Sequence, residues 1–138
     1  MTTETGTSDS RTRGPARLHV GEYLDLDLQT ERWHCHDCGQ DFGPAREDYK
    51  RGLLIGERDP SEIHPAGFEG DYTFSPKGDW VRILEFYCPG CARQVESEYL
   101  PPGHPLTRDT EIDIDAVQAR LAAGEVRINE IGKLEAAV

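Results

Sequence analysis

The sequence predicts a small, mainly β fold organised around two Cys-x-x-Cys motifs. The motifs are Cys35-His36-Asp37-Cys38 and Cys88-Pro89-Gly90-Cys91; 49 residues lie between them, and the chain has no other cysteine. Strand-like segments run into each motif, and the two motifs together supply the four thiolates that a structural, tetrahedral zinc ion requires. We therefore predict a four-cysteine zinc ribbon made of two zinc knuckles, with a long insertion, extended terminal arms and a short C-terminal helix.

The candidate metal ligands are Cys35, Cys38, Cys88 and Cys91. Their motifs lie farther apart than the roughly 15–20 residues usual for such a site. Loop-closure entropy grows slowly with length, so the longer gap costs only about 1 kcal/mol, against a zinc-binding free energy of about 10 kcal/mol or more. Three alternatives stay open: two disulfides, a redox-active motif, or iron in the same four-thiolate geometry.

Residues 23–28 predict a half-buried strand, because apolar and acidic residues alternate along them. One face carries three leucines, and the other carries Asp25 and Asp27, which we expect to face solvent. This strand would form the first half of the ribbon.

Three further strands are expected next to the cysteines. One begins at Trp33 and enters the first motif, one covers residues 80–87 and enters the second, and one covers residues 93–100 and leaves it. His34 directly precedes the first motif and His36 lies within it, and we expect them to be partly exposed loop residues or hydrogen-bond donors to the sulfurs.

The chain is predicted to divide into three regions. Residues 1–18 form an N-terminal arm that is flexible or bound to a partner, residues 19–100 form the ribbon domain, and residues 101–138 form a C-terminal arm. The ribbon domain contains an insertion over residues 39–79. Long loops seldom pack only on themselves, so the aromatic residues of this insertion form either a satellite cluster on the ribbon or a docking surface for a larger partner.

The C-terminal arm predicts a short helix over residues 116–123. Asp113 or Asp115 is its N-cap, and Gly124 ends it. A helix this short is not stable alone, so it packs on the ribbon or on another chain. We expect both terminal arms to lie away from the ribbon and to cover the surface of a partner.

The charge distribution weighs against nucleic acid as a partner. The net charge is −11, and residues 19–100 contain eight basic and seventeen acidic residues, whereas displacing counterions from phosphates needs a basic face. The sequence has no apolar stretch long enough to span a membrane, and its first 18 residues lack a secretory signal, so we expect a cytoplasmic protein. We find no phosphate-binding loop or catalytic constellation, and we predict no catalytic and no cofactor-binding residues in this chain.

Two longer motifs contain the cysteine pairs: Trp33-x-Cys35-x-x-Cys38-Gly39-x-x-Phe42, and Trp80-Val81-x-Ile83-x-Glu85-Phe86-Tyr87-Cys88-Pro89-x-Cys91. In this order they resemble the small zinc-binding gamma subunit of the acetone carboxylase and acetophenone carboxylase family, over roughly residues 22–121. Ala92 stands where the family's second motif usually continues with glycine, so we expect a tighter or shifted turn there. The N-terminal arm lacks the longer helical lead expected of acetone carboxylases, which favours the acetophenone-type branch.

The resemblance implies a subunit of a hetero-oligomeric, ATP-dependent ketone carboxylase. Large subunits similar to hydantoinases and oxoprolinases would use ATP, with Mg²⁺ or Mn²⁺, to phosphorylate the ketone enol and bicarbonate and then join them. This chain would hold a structural Zn²⁺ and stabilise those subunits without catalytic residues of its own. The competing hypotheses are a free-standing zinc-ribbon adaptor or nucleic-acid-associated protein, and a small enzyme with reactive thiols.

Overall fold

The computed structural model describes residues 16–64, 67, 75 and 77–137. Within them lie nine strands: β1 Arg17–Gly21, β2 Leu24–Asp27, β3 Arg32–Cys35, β4 Asp41–Pro44, β5 Leu54–Arg58, β6 Arg82–Tyr87, β7 Gln94–Leu100, β8 Val126–Ile128 and β9 Leu134–Ala136. A 3₁₀ turn at Tyr49–Gly52, helix α1 at Pro60–Ile63 and helix α2 at Ile114–Ala122 complete the described elements. The strands form antiparallel sheets ordered β1-β2-β3-β4, β5-β6-β7 and β8-β9, which confirms the mainly β fold.

The first sheet carries the first cysteine motif on a buried scaffold. β2 pairs with β3 so that Leu26 lies opposite Trp33 and Leu24 lies opposite Cys35. All four side chains are buried, and the indole N–H of Trp33 donates a hydrogen bond to the carbonyl oxygen of Glu47 at 2.8 Å. The packed strand pair therefore holds Cys35 in a defined place at the end of β3.

The second sheet carries the second cysteine motif in the same way. β6 is its central strand, paired with β5 on one side and β7 on the other. Leu84 and Phe86 on β6 are buried in the core, and the strand ends directly before Cys88. The strand predicted over residues 80–87 is thus present over Arg82–Tyr87.

Residues 39–79, the predicted insertion, contribute one strand to each of the two larger sheets. β4 extends the first sheet beside β3, and β5 forms one edge of the second sheet beside β6. The aromatic residues Phe68, Tyr72 and Phe74 lie outside the described residues. Both hypotheses about those aromatics therefore stay predictions.

Asp25 does not face solvent as its position in the alternating segment predicts. Its side chain is fully buried, whereas that of Asp27 is partly exposed. The reason is β1, which pairs with β2 and brings His19 over the acidic face, while His36 approaches from the first cysteine motif. Alternation identifies the two faces of a strand, but it does not reveal that side chains from other segments, here His19 and His36, cover the second one.

Helix α2 confirms the predicted C-terminal helix. The carboxylate of Asp113 accepts a hydrogen bond from the backbone N–H of Ala116 at 3.0 Å, so Asp113 is the N-cap, and the helix ends at Ala122, before Gly124. A β8–β9 hairpin follows it. No helix in the described ranges has the length and apolar character needed to cross a bilayer.

The described part of the C-terminal arm packs on the ribbon, which corrects the expectation that it lies away from it. Ile114 is buried in the core. The Gln118 side chain donates a hydrogen bond to the carbonyl oxygen of Leu28 at 2.8 Å, and the Lys133 ammonium donates to that of His19 at 2.7 Å. These contacts join residues far apart in sequence, where local pattern carries no signal. The predicted N-terminal arm is corrected at its end as well, because Arg17 and Leu18 lie in β1 and Leu18 is buried in the core; residues 1–15 are outside the described residues.

A buried ion cluster also attaches the C-terminal arm to the ribbon. Lys50, in the 3₁₀ turn, is only 1% exposed. Its ammonium donates to a carboxylate oxygen of Glu98 at 2.5 Å and to the carbonyl oxygen of Thr107 at 2.9 Å, and it lies 3.3 Å from the carboxylate of Asp109. Buried lysines are rare unless paired, so this cluster ties the two regions together through charge.

Candidate metal centre

The four predicted ligand cysteines lie together where the two larger sheets meet. Their ligand atoms all lie within 4.8 Å of one another. The Sγ atoms of Cys35 and Cys91 are 3.8 Å apart, and those of Cys38 and Cys88 are 3.6 Å apart. A regular tetrahedron with metal–sulfur bonds of about 2.3 Å has sulfurs about 3.8 Å apart. The sulfur positions therefore fit a single zinc-sized ion at their centre.

The sulfur arrangement does not resemble two disulfides. All four cysteines are free thiols. Both of the short sulfur–sulfur separations join one motif to the other, and they are well above the length of about 2.05 Å that a disulfide bond has. The geometry favours the metal alternative among those that the residue types leave open.

The two motifs form the same turn. In each, the amide of the first cysteine donates to the carbonyl oxygen five residues on, at 2.8 Å: Cys35 to Gln40, and Cys88 to Arg93. The residue after the second cysteine has a positive φ in both, +85° at Gly39 and +65° at Ala92. The expectation of a tighter or shifted second turn is thus wrong, because Ala92 adopts the left-handed conformation that Gly39 adopts without a Cβ penalty.

Backbone amides point at the sulfurs, as a thiolate site requires. The Cys38 amide lies 3.5 Å from the sulfur of Cys35, and the Gly90 amide lies 3.3 Å from the sulfur of Cys88. A Cβ at Gly90 would come within 3.2 Å of the Cys38 sulfur and 2.8 Å of the Gln40 side chain. Glycine at position 90 therefore allows the two motifs to approach closely.

The protonation of the thiols also depends on a cation. Burial raises the pKa of the Cys35 and Cys38 thiols, so both hold their protons at neutral pH when no cation is near. Burial acts in the same direction at Cys91, but the Arg93 amide and the neighbouring thiols outweigh it and lower the pKa of Cys91. A divalent ion supplies the positive charge that four thiolates need, and four thiolates fill its tetrahedral shell without an open position for substrate.

The histidines beside the first motif contact oxygen atoms in this structure. The Nδ1 atom of His34 lies 3.1 Å from the carbonyl oxygen of Gly39. The Nδ1 atom of His36 lies 2.7 Å from the Asp25 carboxylate, which also lies 3.1 Å from Nδ1 of His19. Sequence reasoning missed this second cluster of metal-ligating residue types, because His19 has no spacing relation to the cysteine motifs.

Comparison with known proteins agrees with this architecture. Residues 15–122 match the family described as acetone carboxylase gamma subunit, and this segment contains both cysteine motifs, the two larger sheets and α2. The chain belongs to the acetone carboxylase gamma subunit family. This confirms the family resemblance carried by the two longer motifs.

A curated relative lies in the acetophenone branch. The chain is 59% identical over 118 residues to a protein of Aromatoleum aromaticum (strain DSM 19018 / LMG 30748 / EbN1) named acetophenone carboxylase beta subunit. The match covers 86% of this chain and 91% of the relative. The family therefore establishes this chain as related to small subunits of acetone and acetophenone carboxylases.

Proposed function

We propose that this chain is a non-catalytic subunit of a ketone carboxylase, and that it holds one structural Zn²⁺ through Cys35, Cys38, Cys88 and Cys91. The observation that carries the proposal is the close clustering of the four sulfurs, with two separations of 3.6 and 3.8 Å, in a chain of this family. A closed four-thiolate shell has no site for a substrate oxygen or a nucleophilic water. The ion would therefore contribute to structure rather than to chemistry.

The position of the site explains why the fold would need the ion. Cys35 ends β3 of the first sheet and Cys38 follows it, and Cys88 and Cys91 lie in the connection from β6 to β7 of the second. One ion bound by all four would cross-link the two sheets. Its binding free energy, about 10 kcal/mol or more, is comparable to the whole stability of a small domain, about 5–15 kcal/mol. Folding and metal binding would thus be one equilibrium.

The partners and reaction are proposed from the family. The partners would be large hydantoinase- and oxoprolinase-like subunits, which would bind ATP with Mg²⁺ or Mn²⁺ and carry out the carboxylation in a hetero-oligomer. An acetophenone-type ketone is the proposed substrate of the complex, because the relative that is 59% identical is named for acetophenone. A cytoplasmic location stays a prediction from the sequence.

Reconstitution of the complex tests this proposal. We would combine the large subunits with the wild-type chain, with Cys88→Ser, or with no small chain, and measure zinc content, assembly by size-exclusion chromatography, and ATP-dependent ketone carboxylation. His34→Ala is the matched control, since His34 flanks the same site outside the ligand set. We expect Cys88→Ser to lose zinc and to behave like the sample without a small chain, and His34→Ala to behave like wild type.

Two outcomes would overturn the proposal. If the large subunits assemble and turn over normally without this chain, it is not a required subunit, and the free-standing adaptor hypothesis replaces it. If the purified chain alone hydrolyses ATP or carboxylates a ketone, the chain is itself catalytic.

A further inference from the structure

A second cluster of metal-ligating side chains lies beside the four cysteines. Its centre is Asp25 on β2, whose side chain is 0% exposed. One carboxylate oxygen of Asp25 lies 3.1 Å from Nδ1 of His19 on β1 and 2.7 Å from Nδ1 of His36 in the first cysteine motif. Three segments of the chain thus converge on one buried oxygen, and their ligand atoms all lie within 4.8 Å of one another.

We propose that His19, Asp25 and His36 form a second metal site, which binds a divalent transition-metal ion such as Zn²⁺ or Co²⁺. Two imidazoles and one carboxylate are a ligand set that such ions accept, with water in the remaining positions. Metal–ligand bonds of about 2.0–2.1 Å place neighbouring ligand atoms roughly 2.9–3.4 Å apart in octahedral or tetrahedral geometry. The two measured separations, 2.7 and 3.1 Å, need only a small expansion to meet this range.

When both imidazoles are neutral, the ion can enter without the release of a proton. Each neutral imidazole moves its proton from Nδ1 to Nε2, which leaves the Nδ1 lone pair for the metal. The two histidine side chains are 22% and 26% exposed, so water can reach the site. The second oxygen of Asp25 lies 3.6 Å from the guanidinium of Arg17, which is beyond hydrogen-bond distance, so Arg17 acts on the site as a nearby charge.

Two features make this site weaker than the four-thiolate site. Arg17, at that distance from Asp25, and Lys133, whose ammonium is bonded to the backbone of His19, place positive charge close to the ion. The His19 and His36 rings also stack, with centroids 3.8 Å apart and planes inclined by 32°, so binding must open the angle between them. The second ion should therefore bind after the four thiolates are filled.

Metal titration of the full-length chain tests the proposal. The apo chain is titrated with Co²⁺ under reducing conditions, and bound cobalt is counted by elemental analysis after desalting and by equilibrium dialysis. The first equivalent should produce the strong thiolate-to-cobalt charge-transfer absorption of the four-cysteine site. A second equivalent should bind with a larger dissociation constant than the first and add only weak visible absorption bands, because no thiolate contacts it. Zn²⁺ should compete for both equivalents.

Variants assign the second equivalent to these residues. His19→Ala and Asp25→Asn should each lose it while keeping the charge-transfer band of the first, and the matched control His34→Ala should keep both. Arg17→Gln removes the nearby positive charge, so it should lower the dissociation constant of the second ion severalfold. If Asp25→Asn also loses the charge-transfer band of the first site through misfolding, His19→Ala alone shows whether the second equivalent binds at this cluster.

Either of two results overturns the proposal. The first is a wild-type chain that takes up one equivalent only. The second is a second equivalent that persists in a folded His19→Ala chain, which would place it elsewhere. Neither result bears on the four-thiolate site or on the role of the chain as a subunit, since those are read from the first equivalent and from reconstitution.

Discussion

Replacing Lys50 with methionine should destabilise the protein through the carboxylate that it leaves behind. The Lys50 ammonium is bonded to Glu98, whose side chain is only 8% exposed, and to the carbonyl oxygen of Thr107. Methionine matches the length and apolar stem of lysine but removes the charge. Breaking a buried ion pair by removing one partner costs about 3–5 kcal/mol. Against a total stability of about 5–15 kcal/mol, this loss is large.

The loss of stability caused by Lys50→Met should depend on pH in a defined direction. In the wild type, burial alone would raise the pKa of Glu98, but the Lys50 ammonium and the Thr107 donors outweigh it and hold that pKa below its ordinary value. Glu98 thus contributes stability above its unfolded pKa, and that stability is lost as the pH falls through the folded value. Without Lys50, burial should raise the pKa of Glu98. As the pH falls, protonation of Glu98 should then reduce the loss of unfolding free energy caused by Lys50→Met, by up to about 1.4 kcal/mol per pH unit.

Urea unfolding at a fixed, saturating zinc concentration measures this effect, at pH 7.5 and at pH 5.5. The matched control is Arg51→Met, since the neighbouring Arg51 is 73% exposed and pairs only with Glu47 on the surface among the contacts of the described residues; its urea midpoint should hardly move. Adding Glu98→Gln to Lys50→Met should recover much of the loss and reduce its pH dependence, while Asp109, 3.3 Å from the Lys50 ammonium in the wild type, is left unchanged. A Lys50→Met chain as stable as the Arg51→Met chain, or equally destabilised at both pH values, would refute the reasoning.

Three further predictions concern the metal centre and the surface. Cys88→Ser should reduce bound zinc from about one ion per chain to a small fraction and unfold the apo chain, as elemental analysis and circular dichroism would show; retention of zinc would contradict the ligand assignment. Gly39→Ala should lower the free energy of unfolding in urea by about 1–2 kcal/mol, because no atom lies within 4 Å of the new Cβ and only the positive φ opposes the substitution. Ala92→Gly should be neutral or stabilising by up to about 1 kcal/mol. If the two substitutions changed stability equally, the two turns would not match. Asp115→Asn breaks a bidentate, well-exposed ion pair with Arg46, so the urea midpoint should be unchanged within error. A large shift in the midpoint would show that this pair contributes more to stability than its exposure indicates.

Much of the candidate metal centre could be predicted from sequence because its signal is local. Two Cys-x-x-Cys motifs specify the candidate ligands, and aromatic and β-branched residues identify the strand that leads to Cys88. The N-cap at Asp113 is likewise a matter of a few adjacent residues. The sequence could not indicate that Ala92 would adopt the turn of Gly39, because the cost of a positive φ is offset by the surrounding structure.

The sequence by itself determined the four candidate ligand cysteines, the family and the mainly β character, since each follows from residue chemistry or from short-range periodicity. Only the tertiary structure decided what covers the second face of β2, and so turned Asp25 from an expected surface residue into the buried centre of a histidine pair. It also decided that Lys50 is buried and that the described part of the C-terminal arm packs on the ribbon. The physical reason is common to all three: each depends on contacts between residues far apart in the chain, and such contacts leave no periodic trace in the sequence.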